Sequence, residues 1–192
     1  MNTNRLSCIL VFFMCACSGQ GGCSTDASPQ CGDILETFNG VHVRYNDGFD
    51  SCESGRHLSP SGYSYGMKWQ CVEFVRRYYE QALGHEMPVK WGNADAYFQA
   101  GLAHGALNKE RNLVQYNNGE REKPQVGDLL VCPDWVEGYG HVSIVAEVKH
   151  NQVTTVQQNW STARYVHSLE EKNGRWTIGD DCAGFLRLRP KK

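Results

Sequence analysis

Apolar residues recur at three- and four-residue steps through one stretch, Lys68 to Gly84 (KWQCVEFVRRYYEQALG), where Val72, Val75, Tyr78, Tyr79 and Ala82 share a face. The pattern predicts an amphipathic helix stopped by Gly84, just past the last periodic residue. A second, shorter helix is predicted from Asn93 as N-cap through Ala94, Tyr97, Phe98 and Leu102. Around these the pattern is of period two. Gly40 to Tyr45 alternates as a short strand, and Leu129 to Cys132 is a continuous apolar run of the buried-strand kind. From His141 to Val148, Val142, Ile144, Ala146 and Val148 take one face, and Asn151-Gln152 turns the chain into a second strand, Val153 to Asn159. Tyr165 to Leu169 and Arg175 to Ile178 form another hairpin around Asn173-Gly174, and Phe185 to Leu188 closes the sheet. Asn46 to Ser64 is expected to be loop, as is Ala103 to Glu122 apart from a strand near Leu113 to Tyr116. Helices followed by a run of antiparallel strands is the α+β order.

The start of the chain reads as targeting. Ile9 to Ala16 is an apolar run of eight residues, far short of the ~20 that span a bilayer, so residues 1–16 are expected to be a signal peptide. The run ends in Met14-Cys15-Ala16-Cys17, which resembles a bacterial lipobox with Cys17 as the lipidated residue; ordinary signal cleavage is the alternative. Residues 17–30 are Gly- and Ser-rich, a flexible tether, leaving residues 31–192 as the folded domain. The expected location is therefore outside the cytoplasm, with a lipid anchor in a bacterial membrane.

Composition narrows the partners. A net charge of −2 without a basic stripe argues against nucleic acid, and no feature points to an obligate protein partner. The nine cysteines suit an oxidising compartment. No CxxC pair or zinc-type His/Cys spacing occurs, so neither a metal nor another cofactor is expected. Setting aside Cys8, Cys15, Cys17 and Cys71 leaves Cys23, Cys31, Cys52, Cys132 and Cys182. Four of these allow three pairings, between which sequence does not choose; Cys31–Cys52 and Cys132–Cys182 are taken as the working assignment.

Cys71 opens the predicted helix, where the dipole and free backbone N–H groups favour thiolate. A lone helical cysteine is more often structural, so further partners are needed. His141, at a strand start after a glycine-bearing loop, is the leading base, and Gln157 or Asn159 on the paired strand would orient it. The backbone N–H of Cys71, with Gln70, offers an oxyanion hole. Trp69, Trp135 and Trp160 are candidates for the walls of a cleft.

Four segments in register, KWQCVEFVR at 68–76, PQVGDLLV at 124–131, GHVSIVA at 140–146 and VTTVQQNW at 153–160, resemble the CHAP family of cysteine- and histidine-dependent amidohydrolases/peptidases. The segment YSYGMKWQCVEFVRRYYEQALG is especially similar to the amidase domain of the bifunctional glutathionylspermidine synthetase/amidase. The resemblance implies a papain-like fold, N-terminal helices packed on an antiparallel sheet, with Cys71 as nucleophile and His141 as general base. Many members carry a glutamate where this chain has Gln157, and an asparagine at the position of Asn159; which of the two orients His141 stays open. Arg76 matches an arginine that, in the glutathionylspermidine group, lies near the cysteine and helps control it, although a solvated helix charge is an equal reading. The implied activity is amide hydrolysis through a thioacyl-enzyme. Peptidoglycan is the expected substrate because of the export signal, and a glutathione–polyamine amide the alternative. A non-catalytic lipoprotein and a toxin-type amidase are the remaining readings.

Overall fold

The computed structural model describes residues 28–47 and 55–190; the expected signal peptide, most of the tether, Cys17, Cys23 and Cys52 lie outside them. In chain order come β1 (Ile34–Phe38), β2 (Val41–Arg44), β3 (Arg56–Leu58), β4 (Ser64–Met67), α1 (Cys71–Leu83), a 3-10 turn (Asp95–Tyr97), β5 (Ala106–Asn108) and β6 (Leu113–Asn117). Then follow β7 (Leu129–Cys132), β8 (His141–Val148), β9 (Gln152–Val156), β10 (Arg164–Lys172), β11 (Arg175–Ile178) and β12 (Gly184–Arg187). The main sheet has eight antiparallel strands in the order β11-β10-β9-β8-β7-β12-β6-β5, beside the ribbons β1-β2 and β3-β4.

The expectation of several N-terminal helices is corrected: among the described residues there is one α-helix. At 93–102 only the 3-10 turn forms. The carbonyls of Ala96 and Tyr97, which a helix would use, accept instead from Arg111 Nη2 (3.3 Å) and Asn108 Nδ2 (3.0 Å). Sequence also left β1, β3-β4 and β5 unassigned. β12 does not close the sheet at an edge but lies between β7 and β6.

The helix forms as its periodicity demands. Phe74, Val75, Tyr78 and Tyr79 are buried against Leu129, Val131, Val142, Ile144 and Leu186 of the sheet. Gly84 takes the left-handed φ of 60° and its N–H returns to Glu80 O, ending the helix. The helix is less one-sided than its pattern suggests, since Glu73, Arg76 and Arg77 are buried as well, with α1 packed against β2 and β4 in addition to β8.

On the opposite face of the sheet Leu130, Val145, Val153, Leu169, Ile178 and Phe185 form a second cluster, joined by the Cys132–Cys182 disulfide. The sheet curls far enough for the free side of β11 to bond the segment after β6, with Trp176 N donating to Glu120 O at 2.7 Å. Cys31 is also disulfide-bonded; its assumed partner, Cys52, lies outside the described residues.

Candidate active site

Cys71 is the first residue of α1 and His141 the first residue of β8, and both line one cleft of about 820 Å³. His141 arrives there through Gly140. That residue has a φ of 68°, and a Cβ on it would lie 2.9 Å from Asp95 N and 3.0 Å from Pro133 Cα and O, so only glycine lets the chain turn into β8 this closely against its neighbours.

The orientation of the histidine is fixed by a two-step chain. Gln157 Nε2 donates to the Thr162 carbonyl at 3.2 Å, which turns Oε1 toward His141 Nε2 at 3.1 Å. An amide oxygen only accepts, so this network assigns the proton to Nε2 and leaves Nδ1 as the basic nitrogen. Trp135 lies nearly parallel to the imidazole at 5.7 Å between centroids, and Trp160 sits at 4.8 Å. Gln157 is thus the residue bonded to His141. Asn159 lines the cleft too, but its Nδ2 donates to Gln70 Oε1 at 2.7 Å. The expected strand through Asn159 ends at Val156, and Asn159 sits at a φ of 58°; strict alternation therefore does not carry it to the same side as Gln157.

Burial governs the charge state of the pair. It pushes the Cys71 thiol up to about 11, against hydrogen bonds from the backbone N–H groups of Val142, Val72 and Cys71 itself and the charge of Arg76, which pull it down. It also pushes His141 down to about 4, opposed by the Gln157 bond and reinforced by His167. At neutral pH the resting pair is thiol and neutral imidazole. The helix-start position does not by itself make a thiolate, as sequence suggested it would, because desolvation outweighs the dipole.

The other candidates separate clearly. Trp69 is buried and outside the cleft lining, covered by Arg44 at 4.8 Å and the edge of His57 at 5.2 Å, which does not support a substrate contact. Trp160 lines the cleft, while Trp135 backs His141. Arg76 is no solvated charge. It is 1% exposed, lines the cleft, and donates from Nη1 to Lys90 O at 2.7 Å and Tyr65 O at 3.2 Å.

A network that sequence reasoning missed ties the helix to the segment carrying Gln157. Glu73, fully buried, accepts from Arg77 Nε at 2.6 Å and Gln158 Nε2 at 2.7 Å, and lies 2.7 Å from His57 Nδ1. Gln158 Nε2 also donates to Gln70 O at 3.1 Å. Glu73 and Arg77 stand at i and i+4 in the helix, a visible signal; nothing in the sequence marked Gln158. Among the described residues no group of His, Cys, Asp and Glu is placed to hold a metal ion.

A family model for the CHAP domain matches residues 62–159, which contain Cys71, His141, Gln157 and Asn159. The chain is 30% identical over 158 residues to trypanothione synthetase of Crithidia fasciculata, covering 78% of this chain and 24% of that protein. It is 30% identical over 118 residues to the bifunctional glutathionylspermidine synthetase/amidase of Escherichia coli K12, covering 58% and 18%. A glutathionylspermidine synthase of Crithidia fasciculata is 33% identical over 100 residues, covering 49% and 14%. The matched segment spans a quarter or less of each relative.

Proposed function

The chain belongs to the CHAP domain family, and on that premise we propose that it is an exported cysteine amidohydrolase of papain-like architecture that cleaves an amide bond in peptidoglycan. The observation that carries the chemistry is the fixed tautomer of His141, whose basic Nδ1 is left for the one free thiol among the described cysteines, in the same cleft. Cys71 Sγ attacks the amide carbonyl as its proton passes to His141. The tetrahedral oxyanion forms beside the Cys71 backbone N–H, at the unpaired end of α1. The imidazolium then protonates the leaving amine, giving a thioacyl-enzyme and the free amine. Water, deprotonated by His141, attacks the thioester and releases the carboxylic acid and the thiol. Gln157 holds the ring without adding a charge, so the imidazolium is a transient species of turnover.

Two observations support export. The lipobox-like Met14-Cys15-Ala16-Cys17 follows an apolar run of signal length, and the Cys132–Cys182 disulfide is of a kind that persists outside reducing compartments. Lipidation of Cys17 would anchor the protein in the membrane and place the cleft near the wall. The second reading, an amidase acting on a glutathione–polyamine conjugate, is favoured by relatives whose names are those of glutathionylspermidine enzymes. The test is digestion of purified peptidoglycan by the protein beside its Cys71→Ala form, with products identified by mass. Fragments from the first alone are expected. Absence of fragments from both, with turnover of glutathionylspermidine, would transfer the assignment to the second reading.

A further inference from the structure

Arg76 presents an unusual pattern of bonding for a buried cation. Both of its hydrogen bonds, to the carbonyls of Tyr65 and Lys90, leave from Nη1. Nε and Nη2 are buried without any partner. These two nitrogens form one edge of the planar guanidinium, and that edge is the fork which takes a carboxylate through two parallel bonds. A buried charge left half-satisfied is costly, and the surroundings do not neutralise it. The neighbouring Tyr97 ring lies 5.6 Å from the guanidinium carbon, the Tyr97 hydroxyl is itself buried without a partner, and a second guanidinium, Arg111, covers the same ring at 4.0 Å. Among the described residues lining the cleft, Arg56, Arg76 and Lys90 are basic and none is acidic.

We infer that the free edge of Arg76 is a carboxylate clamp, and that the enzyme's substrates are amides bearing a free carboxylate within reach of the scissile bond. The inference rests on the amidohydrolase reading above and adds a substrate class to it. Arg76 is five residues past Cys71 on the same helix, about 7.5 Å along the axis, so the anion is held roughly two residues of extended peptide away from the reacting carbonyl and the amide is drawn to the thiol. Docking the carboxylate satisfies both orphan N–H groups and neutralises the guanidinium; a neutral analogue does neither.

The test uses two pairs of probes. One pair is stem peptides identical except that the α-carboxyl of D-isoglutamate is a carboxylate in one and a carboxamide in the other. The other pair is glutathionylspermidine with the γ-glutamyl α-carboxyl free or amidated. Binding to the folded Cys71→Ala protein is measured by calorimetry, which needs no turnover, and kcat/KM is measured on the wild type. The carboxylate member of one pair is expected to bind and react roughly 10- to 100-fold better, the range of a charged hydrogen-bonded contact. Arg76→Lys, which keeps the charge and loses the fork, should cut that ratio to a few-fold, the loss falling mainly on the carboxylate member. A purely structural role would lower both members equally. Carboxylate-dependent binding without turnover would keep the clamp and remove the amidase assignment; equal binding within each pair, or no binding by either, would overturn the clamp.

Discussion

Glu73 and Arg76 stand three residues apart on the same helix, both out of water and both ionisable, yet their surroundings are opposite. Around Glu73 every polar edge is engaged, by Arg77, Gln158 and His57. Burial pushes its carboxyl up, but the bonds from His57, Arg77 and Gln158 outweigh that and hold it below the usual carboxylate value. Around Arg76 two of the three guanidinium nitrogens are idle. A closed network fixes geometry and has nothing left to offer a ligand, whereas an open one stores binding capacity at the expense of stability. The first region locks the thiol-bearing helix to the Gln157 segment; the second faces the cleft.

The contrast is sharpest if each side is emptied in turn. Glu73→Ala leaves Arg77 buried without its carboxylate, and an unfolding free energy lower by ~3–5 kcal/mol is expected in urea titrations. A smaller effect comes from acid. His141 is held neutral by burial, with its pKa depressed from 6.5 to about 4. The unfolded chain therefore takes up this proton first, and stability complete above pH 6.5 is lost as pH falls toward 4, by about 3 kcal/mol. His141→Asn should flatten that slope in urea midpoints measured from pH 7 to 4. The Glu73 contribution, from a carboxyl depressed below 4.5, is lost at lower pH than the bulk of the His141 contribution, so the closed network around Glu73 is separable from His141 on one acid titration.

Gln157→Glu places a carboxylate on the imidazole and favours its charged form. The acid limb of the kcat/KM profile, where neutral His141 is recovered, should then move up by roughly one to three pH units. Arg76→Met removes a charge that is only half paired, and stability within about 1 kcal/mol of wild type is expected. A loss as large as that of Glu73→Ala would erase the difference between the two regions.

The helix, its glycine stop, β7 to β10 and the Cys71 and His141 positions were legible because each follows a strong local period. The same reasoning missed β1, β3-β4 and β5. These are short, and β1 and β3 are largely exposed, so no alternation marks them, and their partners rather than their own sequence make them strands. The predicted second helix failed because side chains distant in sequence, Arg111 and Asn108, claim its carbonyls. The orienting role fell between Gln157 and Asn159 until the Thr162 carbonyl and the left-handed backbone at Asn159 were seen. Neither is visible as a pattern of residue types. Likewise the resemblance pointed to Arg76 and not to Arg77, but its burial and its bonds to the Tyr65 and Lys90 carbonyls follow from segments packed over the helix that no residue pattern marks.

The position of β12 has a consequence for the assembly of the sheet. Among the described strands β12 comes last in the chain, yet it lies between β7 and β6 and pairs with both, so without Gly184–Arg187 those two strands have no ladder between them and only the contact of β11 with the segment after β6 links the two parts of the sheet. Seating β5 and β6 beside β7 therefore waits on a strand that comes after every other strand described here in chain order.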